Sequence, residues 1–155
     1  MKTEISFLQN KEVKKILELI NKQWNAQLDW VKDYAFLLST KDNLYIINRE
    51  VDNIDFTKLN INAIGLYFAE LKNGEIRLSI EGSQLVGPFA TKNVVEISDD
   101  EIKLWFKGND LNKECDCSGF VLLTNKDIFV GCGRYSQGII YNFVPKARRL
   151  IEIVE

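Results

Sequence analysis

GFVLLTNKDIFVGCGRYSQGIIYNFV, residues 119–144, decides the fold class. It divides into three runs rich in β-branched and aromatic residues: Gly119 to Thr124, Ile128 to Arg134 and Ile139 to Val144. The intervening Asn125-Lys126-Asp127 and Ser136-Gln137-Gly138 are turns short enough to join consecutive antiparallel strands. Pro145 ends the run, because it has no N–H to give a ladder, and Ala147 to Ile153 is expected to return as a final strand or short helix. Upstream, Asn93 to Ile97 reads as a short strand, and Ser98 with Glu101 makes an S-x-x-E capping box. Ile102, Trp105 and Phe106 give the helix behind that cap its apolar face before Gly108 stops it, and 109–118 reads as loop. Several short strands and one helix in about 65 residues imply a small β-barrel.

Working outward, Lys11 to Leu28 places Val13, Ile16, Leu17, Leu19, Ile20, Trp24 and Leu28 mostly three or four apart, the spacing of an amphipathic helix. Asn10 is the expected N-cap, with no Glu at its capping-box position. Tyr34 to Ser39 and Leu44 to Asn48 form a hairpin around Lys41-Asp42-Asn43. Ala63 to Leu71 and Ile76 to Ile80 form another, since the Asn73-Gly74 pair accepts the positive φ angles of a type I′ turn. Gly82, Gly87 and Pro88 then predict a short helix or irregular turn that closes the first half. The expected fold is α+β: a domain over 1–89 with an antiparallel sheet and flanking helices, then a β pseudo-barrel over 90–155.

Composition narrows the chemistry. The 155 residues include no His, which removes Ser-His-Asp and Cys-His pairs, histidine proton shuttles and imidazole zinc ligands. Cys115, Cys117 and Cys132 give C-x-C plus one distant thiol, a ligand short of a zinc site, so no metal, no cofactor and no catalytic residue are expected. Reduced thiols fit a cytoplasmic protein, with Cys132 as a buried strand residue. The charged start MKTEISFLQNKEVKK is unlike a signal peptide, and no apolar run reaches the roughly 20 residues of a membrane span. Asp99, Asp100 and Glu101 suit a helix start better than acid–base work. Gly131-Cys132-Gly133 lacks a P-loop pattern and sits within a strand, where glycine permits barrel bending or close backbone approach by a partner. Trp24, Trp105, Phe106 and Phe120 follow core spacings, whereas Tyr135 and Tyr141 flank the Gly138 turn and could stack on bases.

Charge is unevenly placed. Twenty Lys+Arg against 22 Asp+Glu leave a net charge of −2, yet Ile128 to Leu150 holds Arg134, Lys146, Arg148 and Arg149 and no acid. These four cations are the candidate RNA contacts, guanidinium forks matching phosphate oxygens. Adjacent Arg148 and Arg149 must diverge on either a strand or a helix, so at most one enters a structural ion pair.

Trp105-Phe106-Lys107-Gly108-Asn109-Asp110-Leu111, then Gly119 to Leu123 and Ile128 to Arg134, resembles a PUA domain. Leu44 to Ile47, Ile64 to Leu71, Ile76 to Ile80 and the turn through Pro88 resemble the pre-PUA half of the nuclear import protein seven family of ribosome-biogenesis factors. The resemblance implies a noncatalytic cytoplasmic protein that binds RNA, ribosomal RNA or its precursor, through Arg148, Arg149, Lys146 and, after the glycine signature, Arg134. It also implies a protein partner docked on the first domain, and neither DNA nor membrane. The tail Pro145 to Leu150 is similar to PUA-like domains of NOP/Sun RNA cytosine methyltransferases, which implies instead an RNA-targeting subunit for a separate modification enzyme.

Overall fold

The computed structural model describes residues 4–49 and 65–150. In the first half, β1 (Ile5–Phe7), β2 (Tyr34–Ser39), β3 (Asn43–Asn48), β4 (Leu66–Lys72) and β5 (Glu75–Leu78) form an antiparallel sheet in chain order, with α1 (Asn10–Trp24) across one face. The 3-10 turn Val31–Asp33 leads into β2. Both expected hairpins are present, and Asn73 and Gly74 have φ of 53° and 77°, as a type I′ turn requires. Ala63 and Ile64 of the expected strand lie outside the described residues.

Helix α1 differs from expectation at both ends. Its N-cap is Gln9 rather than Asn10, which moves Glu12 into the capping-box position, where Oε1 accepts from the Gln9 N–H at 3.0 Å. It stops at Trp24, not Leu28, because Asn25 turns left-handed at φ 49° and donates its N–H back to the Asn21 carbonyl at 2.7 Å. Asparagine tolerates that conformation better than most residues, so apolar spacing alone runs past the end.

After β5, Ser79 caps α2 (Ile80–Val86), its Oγ accepting from the Gly82 N–H at 2.9 Å, and the 3-10 turn Gly87–Phe89 follows. The second half is a mixed sheet of β6 (Val94–Glu96), β8 (Gly119–Asn125), β9 (Ile128–Ser136), β10 (Ile139–Tyr141) and β7 (Leu111–Asn112), in that spatial order. β6 runs parallel to β8 and the other pairs are antiparallel. The sheet keeps two edges, so it curls as a half-barrel around α3 (Asp99–Phe106). The pair β7 falls in the stretch expected to be loop, because two residues are too few to show alternation. The tail forms a 3-10 turn over Lys146–Arg148, and 151–153 lie outside the described residues.

The cap of α3 is as expected: Ser98 Oγ accepts from the Glu101 N–H at 3.1 Å, and Glu101 Oε1 from the Ser98 N–H at 2.9 Å. Ser98→Ala is expected to cost about 1 kcal/mol, read as a lower urea midpoint at unchanged slope.

Strand β8 joins the halves. Phe120 and Leu122 enter a cluster with Ile16, Ile20 and Trp24 of α1 and with Phe36, Phe68 and Ile76 of the first sheet. Val121 and Leu123 enter the half-barrel interior with Trp105, Val130 and Ile140. Burial of both faces explains why FVLL reads as an unbroken apolar run. Trp24 Nε1–H also donates to the Phe120 carbonyl at 3.1 Å. Gln23 donates to the Ile76 carbonyl at 2.8 Å and accepts from its N–H at 2.7 Å, which covers the free edge of β5.

Gly131 and Gly133 flank the indole of Trp105. A β-carbon at Gly131 would lie 2.9 Å from Trp105 Nε1, and one at Gly133 would lie 2.6 Å from Ile140 and 2.9 Å from the Trp105 ring. Gly131 also has a φ of +155°, rarely open to L side chains, beside the irregularity in the β8–β9 register at Leu123 and Thr124. The close approach at these glycines is thus made by Trp105 of the same chain, where a partner's approach or bending was expected.

Candidate nucleic-acid interface

On β5, alternation buries Ile76 and Leu78 and turns Glu75 and Arg77 the other way. This face meets the second half along a seam of stacked side chains. The Arg77 guanidinium lies 4.5 Å over the Phe143 ring, Phe143 and Phe120 are 6.2 Å apart, and Arg134 lies 5.0 Å over Phe120. An Arg-Phe-Phe-Arg ladder thus crosses from one sheet to the other. Register accounts for its far end, since Arg134 of β9 is the partner of Phe120 on β8 and of Tyr141 on β10.

Two depressions meet at Phe143. One, about 390 Å³, is lined by Lys72, Glu75, Phe120 and Arg134. The other is a cleft of about 350 Å³ between the halves, with Tyr67, Arg77, Glu81 and Arg148 on its walls and Trp105 and Gly131 deeper in. Together they make a groove lined by Lys72, Arg134, Arg77 and Arg148, with aromatic rings between the cations. That composition suits an unpaired nucleic-acid strand, whose phosphates meet the cations; Phe120 is 4% exposed and buried beneath Arg134, so of the ladder's two rings it is Phe143 that is open to a base.

Acids from the first half reach the same groove. Glu75 Oε2 accepts from Arg134 at 2.8 Å, Glu70 Oε2 from Arg77 at 2.9 Å, and Glu81 Oε1 from Arg148. The segment that is acid-free in sequence is thus partly neutralised in space. Each guanidinium has five N–H donors, so one carboxylate leaves donors for a phosphate.

The four expected contacts do not all converge. Arg134 and Arg148 line the groove, and Lys146 is exposed on the turn beside Arg148. Arg149 points elsewhere, its Nε donating to the Val144 carbonyl at 3.0 Å and its side chain filling the space over Gly108 at the end of α3. The expected divergence of Arg148 and Arg149 is therefore present. Tyr135 is tied down, its hydroxyl donating to Glu114 Oε2 at 2.8 Å and accepting from the Gly138 N–H at 3.2 Å. Tyr141 remains exposed. Sequence reasoning missed Lys72, Arg77 and Phe143; alternation along β5 marks Arg77 as outward-facing, but not the surface it meets.

Burial favours the protonated form of the groove's phenol and of two thiols, Cys115 and Cys132. It raises Tyr67 above 10.0 against the opposing pull of Arg77. It pushes Cys132 up to about 12, and burial together with the neighbouring Cys117 thiol does the same to Cys115. Among the described residues no group of three or more His, Cys, Asp or Glu is placed to hold a metal ion. Cys132 is expected to stay silent to a thiol reagent at pH 8 until urea unfolds the chain, because the thiolate is the reactive form. Since its folded value lies above its unfolded one, its contribution to stability is complete below about pH 9 and is lost as pH rises toward 12.

Residues 92–150 match the family model described as the PUA domain of methyltransferase RsmF. This chain contains a PUA domain. PUA domains are RNA-binding domains, and the half-barrel, α3, Arg134 and Arg148 all fall within the matched residues. The match stops short of Lys72, Arg77 and the rest of the first sheet. No curated protein matches the chain. Among the described residues no helix is long and apolar enough to cross a membrane.

Proposed function

We propose that this is a noncatalytic, cytoplasmic RNA-binding protein that holds ribosomal RNA or its precursor during maturation of the large ribosomal subunit. The observation that carries RNA binding is the Arg-Phe-Phe-Arg ladder running from the PUA half onto the first sheet. The PUA match over residues 92–150 supports RNA as the ligand class, and the ribosomal assignment rests on the resemblance read from the sequence of both halves. RNA phosphates lie along Lys72, Arg134, Arg77 and Arg148, with Lys146 at the end, while the outer surface of the first half is left for a protein partner. No step of catalysis is needed, because stacking and ion pairing hold the strand.

The test is crosslinking of the tagged protein to cellular RNA, with the bound positions read by sequencing. Crosslinks concentrated in large-subunit RNA precursors are the expected result, and a distribution that follows RNA abundance would end the proposal. The methyltransferase origin of the matched PUA model favours a second reading, an RNA-targeting subunit for a separate RNA modification enzyme. Native pull-down separates the two: precursor particles support the first, a stoichiometric modification enzyme the second.

A further inference from the structure

Resting on the RNA-binding reading, we propose that the cleft between the halves takes one unstacked, carbonyl-bearing nucleobase of the bound strand, its phosphate held at the mouth by Arg77 and Arg148. Three observations carry this. The cleft's volume of about 350 Å³ falls within the roughly 300–1,000 Å³ range of small-molecule sites. Its walls pair aromatic rings, Tyr67 and Phe143, with two guanidinium groups, the chemistry that receives a splayed-out base and its phosphate.

The third observation lies at its floor. Trp105 is fully buried, and its Nε1–H has no hydrogen-bond partner among the described residues. Buried donors left this way are rare in folded proteins. Nε1 sits against Gly131, which shares the floor of the cleft, at a position where any β-carbon would crowd it. The other two indoles are satisfied, Trp24 by the Phe120 carbonyl at 3.1 Å and Trp30 by the Leu85 carbonyl at 3.3 Å. An indole N–H only donates, so the group that completes the floor is an acceptor such as a base carbonyl oxygen.

Those three indoles supply the test. In a ¹H–¹⁵N spectrum of the full chain, Trp105→Phe identifies the Trp105 indole peak by deleting it. Uridine and guanosine 5′-monophosphates, added to millimolar concentration, are expected to move that peak downfield and leave the Trp24 and Trp30 peaks in place. Ribose 5-phosphate, which has the anion and no base, is expected to leave all three in place. A Trp105 peak unmoved by both mononucleotides overturns the proposal, and so does one moved equally by ribose 5-phosphate. Filter binding of single-stranded RNA judges the underlying reading separately. If RNA binds while the mononucleotides leave Trp105 unmoved, the base pocket is wrong and the interface stands; if the mononucleotides move the peak and RNA does not bind, the cleft takes a free nucleotide, and both the interface and its bound-strand base are overturned.

Discussion

Trp105→Ala is expected to destabilise the protein by about 3–5 kcal/mol, the range for deleting a large buried aromatic ring. For a chain of this length that lowers Tm by roughly 6–20 °C. The indole fills the half-barrel against Gly131 and Gly133, and neither glycine carries a side chain that could collapse into the space left behind. Trp105→Phe should cost clearly less than Trp24→Phe, because the first keeps a ring and removes an unpartnered N–H, while the second strips a hydrogen bond from the Phe120 carbonyl. Gly131→Ala should itself destabilise, from the φ of +155° and the 2.9 Å approach to Nε1. Thermal melts followed by circular dichroism decide the matter. A Trp105→Ala melt within a degree of the parent would mean that the ring does not organise the half-barrel.

The second large effect is on affinity. Replacing both Arg77 and Arg134 with Ala is expected to weaken single-stranded RNA binding about 10- to 100-fold at low salt. It should also reduce the slope of log K against log salt by about 1.4, at roughly 0.7 for each lost phosphate contact. Lysine at both positions should retain most of the salt slope and lose part of the affinity, because charge is kept while the planar fork that lies over Phe143 and Phe120 is lost. Glu75→Gln should tighten binding, since it removes the carboxylate competing with phosphate for Arg134. Both arginines are partly exposed, so the double variant should melt within a few degrees of the parent. Unchanged affinity together with an unchanged salt slope would remove the ladder from the interface.

Features set by neighbours in the chain were legible in the sequence. The capping box at Ser98 and Glu101, the Asn73-Gly74 hairpin and the three strand runs after Gly119, the last of which ends at Tyr141 and not Val144, all depend on residues within a few positions of one another. The end of α1 was not, since Asn25 terminates the helix where glycine would have announced it. The basic segment was legible as a count of charges only. Its field in space depends on Glu75 and Glu81, which lie 59 and 67 positions from the arginines they meet. Arg77 and Phe143 were hidden for the same reason, because each looks like an ordinary member of its own segment until the fold stacks one on the other.

The double burial of β8 bears on how far this RNA-binding half can travel. Transplanted into another protein, residues 92–150 would carry Phe120, Leu122 and Cys132 outward with nothing over them, and the Phe120 carbonyl would lose the indole of Trp24. Any host chain must therefore bring its own lid for that surface. Here α1 is that lid, and an insertion between the halves long enough to part them would unseat the proposed RNA surface without touching one of its residues.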